Sequence, residues 1–498
     1  MEDWREATMG ENQVIYDDSF AENTDLLPTK PEARTWKFSH YFSIWMGSVH
    51  NVPSYITIGG FFALGLSIWQ VFFIIMISSI ILSGMMALNG HAGGKYGIPF
   101  SILLRIIFGN KGAIIPGVLR GIIAAIMWFG LQTYAGSLAV TILIAEFWAP
   151  YPTLGADWSF LGLNLANLIS LLLFWLIHVC FIFAGVEALG KFTKFLSPMV
   201  FVVFGGMSIW AINLAGGINP ILHYSEKGVE GNSILVILSC ISAILATWVA
   251  QILSVSDVTR YSRTNKGQSC GQIAGLVITY LLFAVASITI VIGSEIAFGV
   301  PIWNVLEVIN RFDSKFATVL SLLTICLTTL SVNILGNIIP TGYQLASLLP
   351  KKLNFKSGAF IGTVSGLLIM PWKLMESPTT IFTFLNMVGG MLSPVIGVIL
   401  ADYFLIKKRE IIIQDLYFSK SMSRFSNGVN WPALCATLFA GCISLIGRFI
   451  DFLEPIYNIS WFTGIIVSVI LYVLFIYWSK RLHSNRTEKD LANMTKGG

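Results

Sequence analysis

The chain reads as an all-α integral membrane protein of twelve transmembrane helices: a five-plus-five inverted repeat with broken helices 1 and 6, plus two C-terminal helices. Three observations carry that expectation. Helix-length apolar runs fill the chain almost from end to end, basic residues collect in every second gap between them, and two of the runs are interrupted by polar or helix-breaking residues.

The runs cover about 41–64, 68–90, 113–145, 162–185, 195–215, 234–256, 272–298, 316–345, 357–372, 378–405, 432–450 and 457–479. Hydrocarbon offers no water to free backbone N–H and C=O groups, so a helix of about 20 residues is the cheapest crossing of a layer about 30 Å thick. Composition agrees, with 55% hydrophobic and 11% charged residues.

Positive charge is retained on the cytoplasmic side of a membrane. With Arg120, near the start of the third run, counted with the gap before it, only Lys227, Arg311, Lys315, Lys373 and Arg448 lie outside the tails and the even-numbered gaps, so both termini are expected in the cytoplasm. Residues 1–40 read as a polar tail without the apolar core of a cleavable signal, ending in a basic stop at Lys30, Arg34 and Lys37. The expected transporter core spans 41–405, with repeats at about 41–215 and 234–405. A cytoplasmic loop at 406–431, two helices within 432–479 and a short cytoplasmic tail at 480–498 complete the chain.

The net charge of +5 follows from this topology, and no nucleic-acid partner is expected. The six cysteines and six histidines are dispersed and lack metal-ligand spacing. Neither HExxH, GxSxG nor a phosphate-binding glycine loop occurs, so an enzyme is not expected.

The first run is interrupted at mid-length by Gly47-Ser48-Val49-His50-Asn51-Val52-Pro53. Proline removes a donor and pushes its predecessor out of helical geometry, while the His-Asn pair is costly in an apolar layer unless it has partners or a task. The sixth run carries Ala246-Thr247-Trp248-Val249-Ala250-Gln251 and Ser254-Val255-Ser256-Asp257, rich in small and polar residues. Broken first and sixth helices suit two halves of opposite topology whose unwound segments meet at the midplane around a solute.

In the third run Trp128 and Gln132 stand four apart and share a helix face, as do Asn333 and Asn337 in the eighth. Tryptophan supplies a flat apolar surface, and each amide combines a donor with an acceptor. Alone, such a tryptophan reads as packing and such an amide as interhelical glue. Together they suit a planar heterocycle with N–H and C=O groups along its edge.

At these residues the chain resembles nucleobase:cation symporter family 1, and within it the bacterial allantoin permeases. The likeness runs over about 30–480 and rests on several ordered segments. These are Trp45-Met46-Gly47 with His50 through Pro53, Asn89 through Gly97, Trp128 through Gln132, Asp257-Val258-Thr259-Arg260, Ser331 through Asn337, and Gly389-Gly390-Met391 leading to Ala401-Asp402-Tyr403-Phe404.

The resemblance implies that Trp128 and Trp248 sandwich the substrate ring, while Gln132 and Asn337 bond its polar edge. Asn51 stands where the family's hydantoin transporter has a glutamine. Allantoin is a hydantoin ring bearing a ureido arm, and Asn51, His50, Thr247, Thr329 and Asn333 are the polar candidates to hold that arm. Sodium-coupled members imply a cation site at the carbonyls of Gly47, His50 and Thr328 and the hydroxyl of Ser331. This chain has Val332 where a second hydroxyl is expected, so Na+ and H+ both stand open as the coupling ion. His50 and Glu295 are the titratable candidates.

The expected function is therefore import of allantoin by alternating access, across a bacterial plasma membrane and coupled to a cation. No organic cofactor, and no protein partner beyond membrane lipid, is implied. Uracil, cytosine, hydantoins or another purine-related base are the alternative substrates. A nucleobase receptor that moves nothing is the alternative of a different class.

Overall fold

The computed structural model describes residues 23–494 apart from 185, 225–227, 303, 376–377, 413–424 and 426–427. Most of the expected amino-terminal tail, much of the expected 406–431 loop, residues 495–498 and Lys227 lie outside the described residues. Every regular element among the described residues is helical, and only two isolated bridges, Trp36 with Ser262 and Phe160 with Leu163, pair extended backbone.

Among the described residues, ten helices are long and apolar enough to cross a membrane. They are α3 (Ile68–Tyr96), α5 (Ile114–Ala145), α6 (Leu165–Ala184), α7 (Phe195–Leu214), α8 (Ser233–Ser254), α10 (Asn265–Phe298), α11 (Lys315–Leu348), α13 (Thr383–Ile406), α14 (Trp431–Arg448) and α15 (Ser460–Arg481). Between them lie α1 (Phe38–Met46), α2 (Val52–Ala63), α4 (Phe100–Phe108), α9 (Ser256–Thr259) and α12 (Phe355–Leu368). The first expected span is thus α1 and α2 separated by a break. The ninth is a helix of 14 residues, closed by Ile369 and by Met370 at φ +51°.

The break between α1 and α2 is built by its own residues. Asn51 is extended, at φ −132° and ψ 158°, and its Oδ1 accepts from the Ser54 backbone N–H at 3.2 Å, a side-chain N-cap. Its Nδ2 turns the other way and donates to the carbonyls of Ser48 (3.0 Å) and Val49 (3.2 Å). Pro53, within the first turn of α2, gives up an N–H that had no helical partner there.

The sixth run corrects the expected symmetry. α8 is helical through Trp248 as far as Ser254, and its one interruption is Val255, two turns beyond the indole. The polar residues expected to loosen it instead bond back to their own helix: Thr247 to the Ile244 carbonyl (2.6 Å) and Ser254 to that of Ala250 (3.2 Å). With no proline or glycine between Ala246 and Val255, nothing forces unwinding beside Trp248. Where the helix does stop, a neighbour satisfies its carbonyls, as Asn89 of α3 donates Nδ2 to Ile252 (2.6 Å) and Leu253 (3.0 Å).

Two groups of helices pack around the region of interest. α1, α3, α8 and α10 form one, and α5, α6, α11 and α12 the other, while α13 leans on α8 and carries α14 and α15. Residues 23–36 cross one end as a strap. Asn23 donates to the carbonyls of Pro350 and Leu353 before α12, and Asp25 Oδ2 accepts from Phe355 N at 2.9 Å. Arg260, just past α9, donates to Thr29 Oγ1 and to the carbonyls of Asp25 and Leu27. Leu26, within the strap, is fully buried. Gly97, at φ +72°, ends α3 against Arg34, leaving no room for a Cβ.

Candidate functional site

The site lies where α5 and α11 meet. Trp128 and Gln132 occupy one face of α5, both buried, and the ring of Trp128 meets Phe384 of α13 edge-on at 5.2 Å. Trp248 of α8 is equally buried, flanked by Trp45 (5.9 Å) and Tyr280 (6.4 Å), each edge-to-face. Neither indole faces lipid. The two belong to opposite helix groups, as the sequence suggested, and each is braced by other aromatic rings.

Asn333 ties α11 to α5. Its Nδ2 donates to the Phe129 carbonyl (3.3 Å), to Thr133 Oγ1 (3.0 Å) and to Nε2 of His178 (3.1 Å). Its Oδ1 accepts from Asn337 Nδ2 at 2.7 Å. Phe129 and Thr133 each follow a candidate residue in sequence, so this clamp sets α11 in register with Trp128 and Gln132. Thr341 donates to the Asn337 carbonyl at 2.8 Å and continues the tie down α11.

Five buried polar atoms here have no protein partner: Trp128 Nε1, Gln132 Oε1, Asn337 Oδ1, Thr329 Oγ1 and Ser331 Oγ. An unbonded polar group in an apolar setting costs about 1–3 kcal/mol, so each of these atoms on α5 and α11 is costly unless a guest or a water bonds it. Two are carbonyl-type acceptors, one is an indole donor and two are hydroxyls that can act either way.

Other expected site residues are used differently. The Asn51 side chain is spent on the α1–α2 break, since Ser54 Oγ also donates to its Oδ1 (3.2 Å). Asn333 is fully engaged inside the protein. Thr247 is half-buried and bonds Ile244. The imidazole of His50 sits in an aromatic nest, 4.1 Å from Phe204 and 5.5 Å from Phe283, with Nδ1 3.1 Å from the Tyr55 hydroxyl. Glu295 lies in the last turn of α10, half-buried.

The expected cation ligands divide in the same way. Ser331 Oγ is buried with no protein partner, which suits an ion ligand, whereas Val332 supplies no oxygen. The expected ligands on Gly47, His50 and Thr328 are backbone carbonyls; the Thr328 hydroxyl is separate from them and donates to the Ile325 carbonyl (3.0 Å).

Two buried polar residues beside the candidate site escaped the sequence reading. Arg120, within α5, counts as a loop charge when tallied by gaps, yet it is fully buried between α5, α8 and α11. Its signal was a lone arginine inside an apolar run. His178 of α6 gave only the signal of a histidine in a membrane helix, and its partners come from three other turns of structure.

Comparison with known proteins agrees with this arrangement. The family model described as "Permease for cytosine/purines, uracil, thiamine, allantoin" matches residues 28–464. The allantoin permease of Bacillus subtilis (strain 168) is 45% identical over 455 residues, covering 91% of this chain and 92% of the relative. The hydantoin permease of Microbacterium maritypicum is 26% identical over 495 residues, covering 95% and 92%. Among solved structures, Mhp1, a nucleobase-cation-symport-1 family transporter in a closed conformation with bromovinylhydantoin bound, superposes with a TM-score of 0.78 at 24% identity, covering 92% of this chain and 96% of that one. Its inward-facing conformation gives 0.73. A match over nearly the whole chain leaves one assignment: the protein belongs to the family of permeases for cytosine and purines, uracil, thiamine and allantoin, and is a membrane transporter.

Proposed function

We propose that this transporter imports allantoin by alternating access, driven by a cation gradient, with Trp128, Gln132, Trp248, Asn337 and Thr329 holding the substrate. The observation that carries the reading is the cluster of partnerless polar atoms on Trp128, Gln132, Asn337 and Thr329, buried among aromatic rings. A ring of alternating N–H and C=O groups would satisfy the acceptors and the indole donor at once, and indole faces would cover its flat sides. The chemistry asks only for binding and shielding from water.

In this reading the ten long helices, the α1–α2 pair and α12 make twelve crossings, the first ten of them in two inverted repeats of five. The face carrying the strap is cytoplasmic, since its loops hold the excess of basic residues. The two helix groups are the bodies that move past one another, and the break at Asn51 is where the first crossing bends to follow. The gradient is that of Na+ or H+. Ser331 would serve either a metal ion or a water at that position, and Val332 leaves the oxygen set short for a hard cation.

Uptake of labelled allantoin into cells expressing the chain tests the reading. Saturable uptake should be suppressed by excess unlabelled allantoin more strongly than by uracil, cytosine or a simple hydantoin. It should also fall on removing sodium or on adding a protonophore, according to the ion. Uptake that uracil or cytosine suppresses better than allantoin would overturn the substrate. Binding without counterflow in proteoliposomes would make the protein a receptor.

A further inference from the structure

A relay of three side chains stands behind the site. The His178 Nδ1–H donates to the Phe174 carbonyl one turn earlier in α6, at 2.8 Å. A carbonyl oxygen can only accept, so Nδ1 carries the proton and Nε2 is left as an acceptor. Nε2 takes one hydrogen of Asn333 Nδ2 at 3.1 Å, and the Phe129 carbonyl (3.3 Å) and Thr133 Oγ1 (3.0 Å), which itself donates to that carbonyl, share the other. Two obligate acceptors thus fix which end of the Asn333 amide points at α5 and α6. Its oxygen must face the other way, toward Asn337, and only Asn337 Nδ2 can answer it, at 2.7 Å.

The consequence lies at the far end. One Nδ2 hydrogen committed to Asn333 fixes which way the Asn337 amide points, and its Oδ1 is then buried without a protein partner, beside the second N–H of the same amide. The imidazole that starts the chain cannot easily turn. It is fully buried, edge-on to Phe174 at 4.8 Å and to Phe129 at 5.3 Å.

We propose that His178 is a positioning residue that sets substrate specificity: through Asn333 it holds the Asn337 carboxamide with its oxygen toward the bound ring, so the site selects heterocycles that present an N–H at that point. Reversing Asn333 would set its oxygen against the Phe129 carbonyl and the lone pair of His178 Nε2, and reversing Asn337 would set its oxygen against Asn333 Oδ1. An analogue offering a carbonyl, a ring nitrogen lone pair or an N-methyl group there finds an acceptor it cannot satisfy, and a site built to bond an N–H rejects such analogues strongly. The proposal rests on the substrate site described above, and it deepens that reading.

The comparison of His178→Gln with His178→Asn tests it. Glutamine reaches the place of Nε2 with an acceptor oxygen; asparagine reaches only as far as Nδ1. The two differ in volume as well as reach, so the readout that a packing role would not move is the ranking of the N-methyl competitors, not the half-saturating concentration alone. Uptake of labelled allantoin, normalised to transporter in the membrane, is measured with allantoin and its ring N-methyl derivatives as competitors. The glutamine variant should stay within about threefold of the native half-saturating concentration and keep the native ranking of competitors. The asparagine variant should need about tenfold more allantoin, the loss of one well-placed hydrogen bond, and should discriminate less against at least one N-methyl derivative. Equal behaviour of the two variants, native or defective, overturns the relay. A native chain that takes up no allantoin overturns the substrate instead. The same pair of variants then reads the relay with labelled hydantoin or uracil.

Discussion

Arg120 donates its Nη2 to the carbonyl of Gly336 at 2.5 Å, and so joins a π-helical turn of α5 to one of α11. In a π turn the backbone ladder shifts by one residue and leaves a carbonyl without its usual partner. The same guanidinium reaches Ser254 Oγ (2.7 Å) and, through Nε, the carbonyl of Ala250, both on α8. One side chain therefore pins the two helix groups together just beyond the candidate site, at the end where α8 stops.

Replacing Arg120 by methionine removes the charge but leaves the carbonyls of Ala250 and Gly336 without this donor. A loss of about 2–4 kcal/mol is expected, read as a melting temperature several degrees lower in detergent. Lysine should recover only part of it, because one ammonium cannot span carbonyls on two helices in the guanidinium's fork geometry. A methionine variant as stable as the native protein would show the pin to be idle.

Trp128→Ala, Gln132→Ala and Asn337→Ala should each abolish allantoin uptake while the protein still reaches the membrane. Trp128→Phe should retain part of it, since a flat ring remains. Surface amount and uptake measured on the same cells check this, and normal uptake in all three alanine variants refutes the pocket.

Asn51→Ala strips the break between α1 and α2 of its cap and of both carbonyl contacts. The N-cap alone is worth about 1 kcal/mol. Asn51→Asp keeps an acceptor for Ser54 but sets a buried carboxylate oxygen against the carbonyls of Ser48 and Val49. Thermal unfolding of the purified variants should rank the native protein first, with aspartate no better than alanine.

Arg260→Ala should loosen the strap. Three oxygens on residues 25–29 lose their donor, and Asp25 then holds that stretch chiefly through Phe355. Limited proteolysis should cut within residues 23–36 at least several times faster than in the native protein, with the helices beyond intact. Unchanged cleavage would mean that the contacts around Trp36 and Asn23 suffice to hold it.

The place of each span was legible because hydrocarbon imposes a length and a polarity on any helix that crosses it. The break at Asn51 was legible because proline and a capping residue act within one turn. Trp128, Gln132 and Asn337 could be picked out because helical spacing alone puts residues four apart on one face. The same local logic misjudged Thr247 and the neighbourhood of Trp248, where side chains bond back into their own helix, and Asn51 and Asn333, whose amides are consumed by partners.

What the chain determined by itself, then, is the set of helices, the interruption of the first crossing and the inventory of rings and amides available to a guest. Tertiary structure alone decided which of those amides are free, that Arg120 serves as a buried pin and not a loop charge, and that His178 stands behind Asn333. Periodicity and hydropathy report which way a residue faces within its own helix. Whether a donor or acceptor is already satisfied depends on atoms brought from other helices, 155 and 216 positions away along the chain for His178 with Asn333 and Arg120 with Gly336.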